Sequence, residues 1–182
     1  MKKRITLHDK TFEEYISNER IRRAIEDVAA RINEDYHNKP TPLFLGVLNG
    51  AFMFMAELMK LINFNCEISF IKLASYVGTG SSGKVTELIG LKDNIQGRHV
   101  IIVEDIIDTG ESFSHLMRSL EGHRPATVEI ATMLFKPDTY KKDLPIKYSG
   151  ISIGNDFIVG YGLDYNELGR NLGDIYVLVD DK

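Results

Sequence analysis

His99-Val100-Ile101-Ile102-Val103-Glu104-Asp105-Ile106-Ile107-Asp108-Thr109-Gly110-Glu111-Ser112 decides how this chain folds. Val100 to Val103 are four consecutive branched aliphatics, the pattern of a strand buried on both faces of a parallel sheet. The spacing predicts a central strand. Two adjacent carboxylates, two isoleucines and an Asp-Thr-Gly-Glu-Ser turn follow, and then Phe113, Leu116, Met117 and Leu120 recur at helical spacing. The turn therefore joins the end of a strand to the start of a helix.

The first turn of a helix offers free amide N–H groups and the positive end of the macrodipole, and a glycine such as Gly110 lets the chain approach a ligand closely. Such a turn can hold a phosphate. In open α/β sheets ligands lie beyond the carboxyl ends of the strands, where Glu104, Asp105 and Asp108 fall. Four carboxylates between positions 104 and 111 oppose a phosphate, since one like-charge pair at about 4 Å and an effective dielectric near 20 costs roughly 4 kcal/mol. A ribose phosphate resolves the conflict by dividing the work. The turn of Thr109, Gly110, Glu111 and Ser112 takes the phosphate through amides and hydroxyls, while Glu104 and Asp105 accept bonds from the sugar diol or support Mg²⁺. Asp108 is left for chemistry.

Val103-Glu104-Asp105-Ile106-Ile107-Asp108-Thr109-Gly110 closely resembles the phosphoribosyl pyrophosphate signature of the purine phosphoribosyltransferases, in particular their hypoxanthine-guanine branch. The resemblance spans roughly residues 40 to 180. It implies an α/β fold: a central, mostly parallel sheet flanked by helices, with a small base-binding hood contributed mainly by the C-terminal segment, in a single domain over residues 1–182.

Composition is consistent with this class. A chain of 182 residues with 43% hydrophobic and 26% charged residues suits one globular domain with a substantial core. The net charge of −4 gives no electrostatic footprint for nucleic acid. Cys66 is the single cysteine, which excludes an internal disulfide framework and fits a reducing cytoplasm. The basic start Met1-Lys2-Lys3-Arg4 meets His8, Asp9 and Lys10 instead of an apolar signal region, and no stretch approaches the roughly 20 apolar residues of a membrane span.

Along the chain, residues 11–37 read as a helix: Thr11 and Glu14 suit a capping box, and Ile21, Ile25, Val28 and Ile32 share one face. Lys39-Pro40-Thr41-Pro42 stops it. Residues 43–48 form the next buried strand, and Asn49-Gly50 leads into a helix through Phe52, Met55, Met59 and Ile62. That turn resembles the family's pyrophosphate loop, with Asn49 where relatives often carry Lys; the bond before the glycine is the one the family suggests as cis. Residues 66–73 form a strand nearer an edge. Ser75-Tyr76 and the small residues after it resemble the start of the loop that closes over such sites, with a returning strand from Val85 to Leu91. Thr127 to Phe135, Tyr148 to Ile153 and Ile175 to Val179 complete the strands.

The resemblance also assigns the base side. Lys136, after Leu134-Phe135, stands where the family binds the exocyclic oxygen of a 6-oxopurine. Relatives carry a basic residue at the position of Tyr140, for which Lys141 or Lys142 could substitute. Phe157 would stack on the purine, main-chain groups at Ile158 would read its edge, and Asp164 would lie near that edge and a metal, joining Glu104 and Asp105 as metal residues. Arg170 would join Asn49 and Gly50 in binding pyrophosphate. The implied activity is Mg²⁺-dependent transfer of phosphoribose to hypoxanthine and guanine, by a homodimer or homotetramer, with Asp108 as the catalytic residue. A second reading is a phosphoribosyltransferase-like regulator that senses nucleotides and binds nucleic acid.

Overall fold

The computed structural model describes residues 2–75, 85–89, 91 and 94–179. Its centre is β6 (His99–Ile107), whose aliphatic run is buried on both faces. Ile101 and Val103 enter a core with Phe44 and Met133, while Val100 and Ile102 enter a second core with Leu45 and Ile130. This alternation follows from the two-residue period of a strand.

Parallel neighbours flank β6: β3 (Leu43–Leu48), with Gly46 opposite Val103, and β7 (Thr127–Phe135), with Phe135 opposite Ile107. Beyond them β4 (Glu67–Ser75) and β8 (Tyr148–Ser152) extend the parallel sheet, and β5 (Val85–Ile89) pairs antiparallel with β4. The order is β5-β4-β3-β6-β7-β8. The sheet's edge beside β4 is thus taken by β5. Helices α1 (Asn18–Tyr36) and α2 (Phe52–Met59) pack on one face, and α3 (Glu111–Glu121) on the other. The final strand stands where the sequence pattern put it, whereas the returning strand ends at Ile89, short of Leu91, and α2 ends before Ile62. Ser75 ends β4, and Tyr76, the other residue of the expected lid, lies outside the described residues.

A second sheet of four antiparallel strands, in the order β1-β2-β10-β9, forms the hood. Its strands are β1 (Arg4–Leu7), β2 (Lys10–Ile16), β9 (Ile158–Val159) and β10 (Ile175–Val179). Two readings of the sequence change here. Residues 10–16 are a strand, and the helix begins only at Asn18, capped by Ser17, whose hydroxyl accepts from the Arg20 amide at 3.4 Å. Phe12 and Ile16 are buried four residues apart, which imitates a helical face, but β2 pairs on both sides, with β1 and β10. Tertiary pairing overrides the local pattern. The hood is also not mainly C-terminal, because the N-terminus supplies two of its four strands.

Hood and sheet meet backbone to backbone. A Cβ placed on Gly162, whose φ is +96°, would stand 2.1 Å from the carbonyl oxygen of Gly50. Gly162→Ala combines a positive φ with a collision against main chain, so it should lower unfolding free energy by at least about 2 kcal/mol in urea denaturation.

Candidate functional site

The carboxyl ends of β3, β6 and β7 lie side by side, and the chemistry-bearing residues collect there. β6 runs on to Ile107, so Glu104 and Asp105 belong to the strand itself rather than to the turn after it; Glu104 stands opposite Thr132. Asp105 accepts the Ile106 amide at 2.8 Å. Its carboxyl overlies Gly50, where a Cβ would come within 1.4 Å of Oδ2. Only glycine fits beneath it.

The turn after β6 starts α3 as expected. Gly110, with φ +80°, is the residue before the helix, and the first intrahelical bond runs from the Ser114 amide to the Gly110 carbonyl at 2.9 Å. Thr109, Glu111 and Ser112 are exposed along this turn, which borders a cleft of about 260 Å³ shared with Glu104 and Asp108. The Tyr140 ring covers Gly110: a Cβ there would lie 2.6 Å from the ring. Tyr140 donates its hydroxyl to the Leu144 carbonyl at 2.6 Å and meets Phe135 edge-on, so at this position an aromatic packs into the fold. Lys142, rather than Lys141, comes to the turn and pairs with Glu111.

Lys136 follows β7, and its amide bonds the Ile107 carbonyl at 2.9 Å, tying the ends of the two strands together. Its ammonium is buried, which a lysine tolerates when paired. The partners are Asp108 Oδ2 at 3.1 Å and Asn155 Oδ1 at 3.5 Å. Thr139 donates to the other oxygen of Asp108 at 2.5 Å, and these two contacts, the threonine first, hold the Asp108 carboxyl below its ordinary range. Phe157 is 47% exposed, a large aromatic left out of the core. Its ring is set by Phe12 at 6.2 Å and by Tyr165, edge-on, at 5.9 Å. Ile158 is buried in β9 opposite Val177, with its side chain in the core.

Arg170 donates to the Gly162 carbonyl at 2.7 Å and pairs with Asp164 at 2.5 Å. The other oxygen of Asp164 accepts the Glu167 amide at 2.7 Å. Asn49 is exposed and lines one groove with Phe52, Leu168 and Arg170. The cis bond lies one residue earlier than the resemblance suggested, between Leu48 and Asn49.

Sequence reasoning passed over Thr139, Asn155, Phe12 and Tyr165. Only Tyr165 carried a signal, its place beside Asp164; the others are neighbours solely through the fold.

The phosphoribosyl transferase domain matches residues 11–166. The chain belongs to the phosphoribosyltransferase family. It is 40% identical, over 91% of its own length and 92% of the relative's, to the hypoxanthine-guanine phosphoribosyltransferase of Streptococcus pneumoniae. It is 41% identical to the hypoxanthine-guanine-xanthine phosphoribosyltransferase of Tritrichomonas foetus, over 87% of this chain and 86% of that one. The crystal structure of a hypoxanthine-guanine phosphoribosyltransferase from Bacillus anthracis with HEPES in its active site superposes with a TM-score of 0.85 at 37% identity, covering 91% of this chain and 98% of that one.

This phosphoribosyltransferase offers a divalent cation oxygen ligands only. Among the described residues no three His, Cys, Asp or Glu side chains cluster to enclose a metal by themselves. Asp164 is paired with Arg170. Two carboxyls fit a hard cation that takes its remaining ligands from water and substrate phosphates. Burial first, and then each other's charge, pushes Glu104 well above the ordinary carboxylate range; burial likewise raises Asp105. The folded enzyme therefore retains protons that the unfolded chain has released above about pH 4, and its stability falls as pH rises through the raised values. Melting temperatures from pH 4 to 8 should show Glu104→Gln/Asp105→Asn gaining on the unsubstituted chain as pH increases. A constant difference would count against the raised values.

In the described residues no helix is long and apolar enough to cross a membrane.

Proposed function

We propose that the chain transfers the 5-phosphoribosyl group of phosphoribosyl pyrophosphate to hypoxanthine, and to guanine, releasing pyrophosphate and forming IMP or GMP in purine salvage. The observation that carries this reading is the Lys136 ammonium 3.1 Å from the carboxylate of Asp108, the residue that leads into the 109–112 turn. The relatives above are named as transferases, which favours an enzyme over a nucleotide-sensing regulator.

The turn of Thr109, Gly110, Glu111 and Ser112 takes the ribose 5′-phosphate on its amides and hydroxyls. Glu104 and Asp105 hold the ribose diol. Phe157 stacks on the base, the main chain at Ile158 reads the base's edge, and Lys136 donates to its exocyclic oxygen. Cleavage at the anomeric carbon passes through an oxocarbenium-like state, as in glycoside chemistry. Asp108, ionised and facing the base, takes or returns the ring-nitrogen proton, or stabilises the charge that develops there. Asn49, Gly50 and Arg170 receive the pyrophosphate. Mg²⁺, for which Glu104, Asp105 and Asp164 are the candidate carboxylates, Asp164 near the exocyclic edge of the base, would offset charge on the departing oxygens when bound.

Asp108→Asn should lower kcat about 100-fold or more while the dissociation constant for phosphoribosyl pyrophosphate, read by calorimetry, holds. Unchanged turnover would remove Asp108 from the mechanism. Lys136→Ala should weaken hypoxanthine binding roughly 10- to 100-fold, the scale of one charged hydrogen bond, with donor binding intact. Equal purine affinity in both proteins would defeat that assignment. The same reading makes the protein a cytoplasmic homodimer or homotetramer. The exposed apolar side chains of Phe52, Ile68 and Phe70 support such an assembly.

A further inference from the structure

Asp108 is held at both carboxylate oxygens, and its two partners come from one short turn. Lys136 reaches Oδ2 at 3.1 Å and Thr139 reaches Oδ1 at 2.5 Å. The turn is itself closed by the Thr139 and Tyr140 amides, which both bond the Lys136 carbonyl, at 3.3 and 3.1 Å. An ionised carboxylate only accepts, so the single proton of the Thr139 hydroxyl goes to it. The 3.3 Å approach of that hydroxyl to the Lys136 carbonyl is the weaker alternative. Three donors sit on a lysine ammonium. With Asp108 and Asn155 taking two, the third remains for a ligand carbonyl.

We propose that Thr139 is a positioning residue for the transfer reaction, holding Oδ1 of Asp108 so that Oδ2 and the Lys136 ammonium keep one fixed mutual geometry toward the base. The inference rests on the reading of Asp108 and Lys136 given above. A carboxylate tied to the lysine alone can rotate about its terminal torsion and exchange its oxygens, because such sp²-terminal torsions are broad. Once both oxygens are held from the same turn, that rotation is stopped. A heteroaromatic base carrying a carbonyl oxygen beside a ring nitrogen then meets donor and acceptor already set to its spacing. Pre-set electrostatics of this kind act on the reaction step without strengthening ground-state binding. The hydroxyl itself touches no reacting atom.

The test compares Thr139→Val, which keeps shape and removes the hydroxyl, with Thr139→Ser, which keeps the hydroxyl; Thr139→Ala replaces valine if the methyl crowds the turn. Steady-state rates with hypoxanthine and phosphoribosyl pyrophosphate should show kcat of Thr139→Val down roughly tenfold, the effect of one charge-assisted hydrogen bond, with both KM values within about twofold. Thr139→Ser should return kcat to within about threefold of the unsubstituted chain. In an Asp108→Asn background, Thr139→Val should cost nothing further. Four results overturn the inference. Thr139→Val could turn over normally while Asp108→Asn is slow, which leaves the reading of Asp108 standing. Serine could fail to restore kcat, or the valine penalty could persist undiminished in the Asp108→Asn background, either of which makes the effect independent of the hydroxyl's hold on Asp108. Normal turnover by Asp108→Asn itself would remove the reading underneath, and the inference with it.

Discussion

Three stretches of the chain meet at Gly50. Asp105 of the central strand lies over its α-carbon, at a place where any Cβ would overlap the carboxylate. Gly162 of the hood lies against its carbonyl, held in a positive-φ conformation. The sheet, the loop after β3 and the hood are therefore registered through Gly50, by the Asp105 carboxylate on its α-carbon and by the main chain of Gly162 against its carbonyl, contacts that leave no room for a side chain at either glycine. Arg170 continues the same junction, since its guanidinium donates to the Gly162 carbonyl. Because the carboxylates, the 48–50 loop and the hood are fixed relative to one another here, the remaining site residues inherit their positions from it.

Charge at the site follows a consistent pattern. Asp108 is paired with Lys136, Glu111 with Lys142, and Asp164 with Arg170. Each of these carboxylates has a cation beside it, from a separate segment for Asp108 and Glu111, so the acidic turn noted in the sequence carries less uncompensated charge than its composition suggests. Glu104 and Asp105 differ. They share a strand end where desolvation opposes the ionisation of both, and the charge of Asp105 opposes that of Glu104 further. A substrate bringing hydroxyls and a divalent cation would supply what these two groups lack, whereas a bare phosphate would add to their cost.

Much of this was legible from residue order. The four aliphatics of β6 announced a doubly buried strand because burial on both faces leaves no position for a polar residue. The strand-turn-helix at 108–112 was legible from Gly110 and the helical spacing of Phe113, Leu116 and Leu120. Residues 10–16 were not, because two buried residues four apart satisfy a helix locally and only the pairing with β1 and β10 makes them a strand. Nothing in the order of residues marked Tyr140 as the ring that roofs Gly110.

The sequence by itself determined the parallel α/β class, the acidic strand end, the turn that follows it and the family, since these are written in contiguous residues whose local periodicity and chemistry suffice. Tertiary structure alone decided that the hood draws half its strands from the N-terminus, that Asp164 pairs with Arg170, and that Thr139 grips Asp108. The reason is distance along the chain. Contacts between residues such as 108 and 139 depend on how two strands align at their ends, and no local pattern encodes that alignment.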